Sequence, residues 1–368
     1  MNRKFQQEKN DKRKSANYSL IYISALISFI LTISATNWLP ERFLRDSLYY
    51  QSRFLSGVSG REDSFNVVVR FYSALGLNTK PYLVGAFQWV LCSFALILIE
   101  NRSPGCFHKK ITTMYVIVYL FLIPVFCGVY TKEILIILFM IFLIRIADVK
   151  VTFTFQVFAS LWIIGLTFRP YYFLIAIFTL LYSTILPRIR YRKVIWGLPI
   201  IFASILTTFE ALTSKILDLT GRNILNVRTD LLVNSQIVAN SQIHQAPLTT
   251  NFFNNFFVYA RVFRQMVFPV DRLGFSLYSF ISIFGAIYIS VSLLLSSNPK
   301  PNPKFRPSNI LHSLLAAYFT MALIFEPDLG SYTRHTFPYL LLIILLQTET
   351  MTNYSKQTES GNTFTATS

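Results

Sequence analysis

Long apolar runs recur along the chain, separated by short polar stretches. A helix needs about 20 apolar residues to cross the core of a bilayer. The first run covers 18–38, and further runs lie near 81–99, 111–130, 133–147, 151–168, 171–187, 195–212, 277–296, 310–325 and 336–348. The pattern predicts ten transmembrane helices, within a range of nine to eleven because the fourth and last runs are short. The first run follows a basic stretch with Arg3, Lys4, Lys9, Lys12, Arg13 and Lys14. It is too long for a signal peptide and lacks a small-x-small cleavage site, so it reads as an uncleaved anchor.

Charge gives the runs a direction. With the N-terminus placed in the cytosol, the short inner loops carry Arg102, Lys109 and Lys110; Arg145 and Lys150; Arg188, Arg190, Arg192 and Lys193; and Lys300, Lys304 and Arg306. The short outer loops carry one each: Lys132, Arg169 and Arg334. Twelve against three is the bias that sets orientation. Two longer outer segments, 39–80 and 213–276, carry six basic residues each, and long segments follow the rule poorly. The expected organisation is a basic cytoplasmic N-terminus (1–17), one polytopic membrane domain (18–348) and a disordered cytoplasmic tail (349–368). The loop 297–309 holds Pro299, Pro301, Pro303 and Pro307 and is expected to be extended. No internal repeat is visible.

Composition agrees. Of 368 residues, 53% are hydrophobic and 14% charged, against about 25% charged in soluble domains. Mean hydropathy is +0.46 and the formal charge +17. This excludes a soluble enzyme, a disordered chain and a disulfide-framed secreted domain, and the fold class is all-α, a polytopic integral membrane protein. The cysteines Cys92, Cys106 and Cys127 are too few and too scattered for a disulfide framework or a metal site. There is no Walker loop, no GxGxxG and no histidine cluster, so neither metal nor cofactor is expected, and no nucleic-acid partner.

Ionisable groups are costly at membrane depth, so their placement at span ends is informative. The predicted outer ends mix both signs: Lys132 with Glu133, Arg169, Arg261 with Arg264, Asp271 with Arg272, and Glu326, Asp328, Arg334 and His335. Eleven of 17 acids fall on this side, which suggests a polar cavity open to it. The turn from Phe325 to His335 gathers two carboxylates, a phenol (Tyr332), a guanidinium and an imidazole, shaped by Pro327 and Gly330. The competing account is an ordinary solvated turn. Arg169 lies in a turn too short to leave the membrane surface; it suits forked binding of phosphate oxygens, or simple anchoring with Tyr171 and Tyr172. Thr131 suits an N-cap and Glu133 the helix dipole, whereas Lys132 is unfavourable at a helix start. The stretch 251–269 predicts an amphipathic helix at the outer interface or a re-entrant one, with Arg261 and Arg264 on one face and Phe256, Tyr259, Phe263 and Val267 near the other. The first outer segment, with Arg45, Asp46 and Tyr50, then Glu62, Asp63 and Phe65, reads by itself as a solvated loop followed by a helical apolar stripe over 65–77.

Taken in order, these elements form a set: Arg45-Asp46-x-x-x-Tyr50, Glu62-Asp63-Ser64-Phe65, Lys132-Glu133 opening a span, the Arg169-Pro170-Tyr171 turn, and a last turn rich in Tyr, Arg and His. The set resembles the integral-membrane polysaccharide polymerases of bacteria, the Wzy type and its EpsG-like relatives. The resemblance implies polymerisation of undecaprenyl-diphosphate-linked repeat units for O-antigen, capsule or exopolysaccharide, on the outer face of the inner membrane, with both termini cytoplasmic. The implied partners are the polyprenyl-diphosphate-linked glycan, membrane lipid, a flippase and a chain-length regulator. In that frame Arg169 and Arg334, helped by Arg264, Arg261 and Lys132, would bind diphosphate. Glu326, Asp328 or His335 would be the base, with Asp46, Glu133 and Tyr332 as further candidates. Two alternatives stay open: a multi-span glycosyltransferase using a polyprenyl-phosphate sugar, with its acid at Asp46, Glu62 or Asp63, and a non-enzymatic transporter of lipid-linked sugar.

Overall fold

A computed structural model describes residues 2–56, 64–78, 80–147, 153–186, 197–217, 251–267, 307–325 and 334–348. Among them there is no strand. The helices are α1 (Asn2–Ile33), α2 (Ala35–Trp38), α3 (Glu41–Ser56), α4 (Ser64–Ala74), α5 (Pro81–Arg102), α6 (Lys110–Cys127), α7 (Glu133–Ile146), α8 (Phe153–Thr167), α9 (Tyr171–Ile185), α10 (Gly197–Leu217), α11 (Phe252–Val267) and α12 (Pro307–Phe325). Residues 334–348 are helical, with a 3-10 turn at Phe337–Tyr339. Three stretches are long and apolar enough to cross a membrane: Ser15–Ile33, Pro81–Arg102 and Lys110–Cys127. Shorter apolar helices include α8 and α9. The protein is therefore all-helical, with several apolar helices compatible with a membrane protein. Large apolar side chains such as Leu26, Ile30, Phe94, Trp162, Ile163 and Leu166 face outward, as they would toward lipid rather than water.

Helix boundaries follow local chemistry. Pro81 and Pro307 each open a helix, where the missing N–H costs nothing. The start of α12 at Pro307 makes the expected extended loop, 297–309, end sooner than its prolines suggest. The basic N-terminal stretch is not a separate coil: α1 runs through it unbroken into the apolar part. The first apolar run breaks after Ile33, and the Trp38 indole N–H, donating to the Leu31 carbonyl at 2.9 Å, holds the short α2 against the end of α1. The predicted span 277–296, most of the segment 213–276 and the tail 349–368 lie outside the described residues.

The chain divides into two compact units, one of residues 1–169 with 337–368 and one of residues 170–336. In the first, α1, α5, α6 and α7 alternate in direction. At one end Gly85 of α5 meets backbone: a Cβ there would lie 2.9 Å from the Thr32 carbonyl oxygen and 3.0 Å from that of Gly128. Small residues allow such approach of apolar helices where no water drives their association. Nearby, the Gln88 side-chain N–H donates to the Val129 carbonyl at 2.8 Å. The opposite end is tied by Glu100. Its carboxylate accepts from the Tyr18 hydroxyl at 2.5 Å, the Gly105 N–H at 2.7 Å, the Cys106 thiol at 3.0 Å and the Phe107 N–H at 3.2 Å. Gly105 adopts φ +78, which glycine tolerates, and so turns the loop toward this carboxylate. Asn17 donates to the His108 carbonyl at 2.6 Å and Arg102 to that of Ile144 at 3.2 Å. The residues predicted to share one side of the membrane at 17, 100–110 and 144 thus do share one end of the unit. Phe337 stacks on Tyr119 with ring centroids 4.9 Å apart.

In the second unit α12 packs along α9, and α10 lies against α11 and α12. Polar pairs punctuate these contacts: Tyr182 with Thr320 at 2.7 Å, Thr207 with Tyr259 at 2.7 Å, and the Asn255 amide to Thr208 at 2.8 Å. The α11 helix is therefore not simply a surface anchor. Asn255, Val258 and Tyr259 are buried on its packed face, and Phe253, Phe257 and Arg264 are exposed on the other.

Candidate functional site

The first long polar segment is not a loop that merely faces water. Its residues form α3 and α4, which fold against each other and against the turn between α6 and α7. On α3, Ser47 and Tyr50 recur at helical spacing and are buried; on α4, Asn66, Val69 and Tyr72 do the same. Phe43 and Leu44 pack against Ala35 and Val129. The Tyr72 hydroxyl donates to the Thr131 carbonyl at 3.0 Å, and the Tyr130 hydroxyl to the Leu77 carbonyl at 2.6 Å. Burial raises the Tyr72 phenol above its ordinary value, against the lowering effect of the Thr131 backbone. It therefore stays protonated and able to donate. Tyr130, also raised by burial, packs its ring on Phe54 at 5.1 Å and on the edge of Tyr72 at 5.2 Å.

This hairpin brings the early charged segment to the Lys132-Glu133 turn, as the sequence did not reveal. The Lys132 ammonium lies 5.4 Å from the centre of the Phe65 ring. Phe65 meets Tyr49 edge-on at 5.0 Å. The Arg53 guanidinium lies 5.0 Å from the Tyr49 ring centre, donates to Asn66 Oδ1 at 3.1 Å, and hydrogen-bonds the Tyr49 hydroxyl. Asp46 is half-buried on α3, one turn from Tyr49 and Tyr50. Glu133 is 2% exposed, in the first turn of α7. The cap of α7 differs from expectation: Lys132 occupies the N-cap position and its side chain makes no capping hydrogen bond, and the Thr131 hydroxyl accepts the Glu133 N–H at a long 3.4 Å. The arrangement can hold an anion against cations and present a carboxylate beside it.

The other candidates fall as follows. Arg169 belongs to the first unit, 9% exposed at the end of α8, its guanidinium 5.2 Å from the Phe168 ring centre. Arg264, Arg334 and His335 belong to the second unit, Arg264 exposed, Arg334 and His335 half-buried. Arg261 lies on α11, its side chain outside the described residues, as are Glu62, Asp63, Glu326, Asp328 and Tyr332. Sequence reasoning missed Arg53 and Asn66. A signal existed for Arg53: Asp46, Tyr49, Tyr50 and Arg53 recur at three- and four-residue intervals, one face of a helix. For Asn66 there was none, since its partner lies on another helix. No group of His, Cys, Asp or Glu among the described residues could hold a metal ion. Comparison with family models, with curated proteins and with solved structures finds no match.

Proposed function

We propose that the protein polymerises glycan repeat units carried on a polyprenyl diphosphate, at the outer face of a bacterial cytoplasmic membrane, with both termini in the cytosol. The observation that carries this reading is the α3–α4 hairpin folded over the Lys132-Glu133 turn, which sets cations, carboxylates and aromatic rings at one end of an apolar helical unit. The donor is an anion fixed to a lipid, so its diphosphate lies at the membrane interface, where such a cluster would meet it. A sugar hydroxyl of one lipid-linked unit attacks the anomeric carbon of the growing chain. The bond from that carbon to the diphosphate oxygen breaks, and the lipid diphosphate leaves with the bonding electrons. Preorganised cations stabilise the charge that develops on it, and a carboxylate takes the hydroxyl proton. Within the first unit, Lys132 and Arg169 are the cations assigned to the leaving group. Asp46, half-exposed, is better placed to meet a sugar hydroxyl than buried Glu133.

The gene is deleted and replaced by Lys132→Gln or Arg169→Ala in cells that make the polymer. Single repeat units are expected to accumulate on lipid, with long chains lost. Long chains at normal yield would overturn the assignment. One observation favours a second reading: Asp46 is half-exposed on α3, where a multi-span glycosyltransferase using a polyprenyl-phosphate sugar could use it as its acid. Loss of one side sugar, with polymer length unchanged, would select that reading.

A further inference from the structure

We infer that Gln88 is a positioning residue: through the Val129 carbonyl it sets the turn that carries Lys132 and Glu133, and it serves that turn rather than the stability of the fold. Gln88 lies on α5, in a stretch long and apolar enough to cross a membrane, and is 0% exposed. It is the amide on a buried stripe that also holds Val84, Gly85, Cys92, Ala95 and Ile99. A side chain so enclosed touches no substrate, so its effect passes through its neighbours. Its Nε2 donates to the Val129 carbonyl at 2.8 Å. The reversed amide would set oxygen against oxygen, so this carbonyl fixes which way the amide faces.

The turn is held from two sides. Nearly one helical turn before Gln88 on α5, Gly85 comes so close to Gly128 that a Cβ would lie 3.0 Å from its carbonyl oxygen. Gln88 then holds the next carbonyl, that of Val129. From α4 the Tyr72 hydroxyl holds the Thr131 carbonyl at 3.0 Å. Two carbonyls of one short turn are thus gripped by different helices, and α7 begins at Glu133. Turn residues lack the repeating backbone bonds of a helix, so these contacts decide where Lys132 and the start of α7 lie.

The energetics separate this role from a structural one. Among the described residues, Gln88 Oε1 is buried with no hydrogen-bond partner. A buried bond left unmade costs more than a made one contributes, and no water relieves that cost inside a bilayer. Methionine, of similar length, removes the orphaned oxygen and also the donor to Val129, and the two changes oppose each other. Stability therefore does not explain an amide at position 88, whereas the aim of the turn does.

The inference rests on the polymerase reading for what the turn binds. The test uses the full chain in nanodiscs of zwitterionic lipid at pH 5.5, titrated with inorganic pyrophosphate by calorimetry. Hydrogen exchange of the amides of residues 129–133 gives a readout without ligand. Gln88→Met is expected to keep the wild-type melting temperature, weaken pyrophosphate binding at least fivefold and speed exchange across the turn. Gln88→Glu is the rescue: a buried carboxyl group is neutral and still has a proton to donate to Val129, so binding and exchange should stay within twofold of wild type. If Gln88→Met leaves binding or exchange unchanged, or if Gln88→Glu restores neither, the inference is overturned. It is overturned too if Gln88→Met fails to fold or melts far below wild type, since the amide would then be holding the fold together. A wild-type chain that binds no pyrophosphate, or a Lys132→Gln chain that binds it normally, strikes the diphosphate assignment and not Gln88. The exchange of the turn in the two Gln88 variants then decides the inference.

Discussion

The two ends of the first unit satisfy charge in opposite ways. At the Glu100 end a carboxylate is surrounded by donors: a phenol, a thiol and two backbone N–H groups. Each donor is neutral, and together they close the loop from α5 to α6 around one anion. At the Lys132 end the order is inverted: the Lys132 and Arg53 cations lie beside aromatic rings, and Arg53 donates to the neutral Asn66 amide oxygen. Both ends are built from early and late parts of the same unit. The first geometry consumes its charge in holding the chain together. The second sets its charges beside aromatic rings, where α3 and α4 fold over the turn between α6 and α7.

That contrast is broken most strongly at Glu100. Glu100→Ala removes the shared acceptor and strands the Gly105 and Phe107 N–H groups, so a loss of about 3 kcal/mol is expected. Thermal unfolding in detergent reads it. Cys106 offers a second readout. Burial, together with its bond to Glu100, holds the thiol above its ordinary range, so the folded protein keeps it protonated. Because the folded value is raised, this contribution is whole below the unfolded thiol's value and is lost as pH rises through the folded one. Cys106 should therefore resist alkylation at pH 8 in the native protein and react in Glu100→Ala, as followed by mass spectrometry of its peptide. An unchanged melting temperature with an unreactive Cys106 would show that the carboxylate is not what closes this end.

The second largest effect is at the opposite end, at Gly85. A methyl group there meets two backbone carbonyl oxygens, at 2.9 and 3.0 Å, and backbone cannot swing aside as a side chain does. Gly85→Ala should cost about 2 kcal/mol through overpacking. It should also displace the α6–α7 turn that carries Lys132, since Gly128 precedes that turn. A variant as stable as wild type would mean that the helices part without penalty, and the α3–α4 hairpin would then have no rigid seat.

How much of this was legible in the chain depends on the range of the interaction. Helices governed by local pattern were readable: α5 begins at Pro81, α6, α7, α8 and α9 fall within a few residues of their apolar runs, and the helical stripe after Phe65 is α4. The meeting of residues 17, 100–110 and 144 at one end was also legible, because alternation of spans fixes it. The Lys132 neighbourhood was not. Periodicity gives the face of α3 that holds Tyr50, but nothing local in α4 says that Phe65 will lie under an ammonium 67 positions later. The polar character of α3 made a solvated loop a sufficient account of this segment, and burial of Tyr50, Asn66 and Tyr72 is what shows that α3 and α4 are packed. For Arg169 the sequence left phosphate binding and interfacial anchoring open, and it did not reveal that the side chain is buried with its guanidinium 5.2 Å from the Phe168 ring centre.

The finest test separates hairpin docking from charge placement. Tyr72→Phe keeps the ring against Tyr130 and removes one hydroxyl, which donates to the Thr131 carbonyl and lies 3.4 Å from the Thr131 N–H. The loss is expected to be about 1 kcal/mol, the net worth of one buried hydrogen bond. The effect on function depends on what that bond does. If it only adds stability, the melting temperature falls slightly and pyrophosphate affinity is untouched. If it sets the turn that aims Lys132, affinity falls while the Arg53 contacts, made within α3 and α4, remain. The placement of Thr131 immediately before Lys132 favours the second outcome, with a several-fold loss of affinity. A stability loss with wild-type affinity would confine Tyr72 to holding the hairpin down.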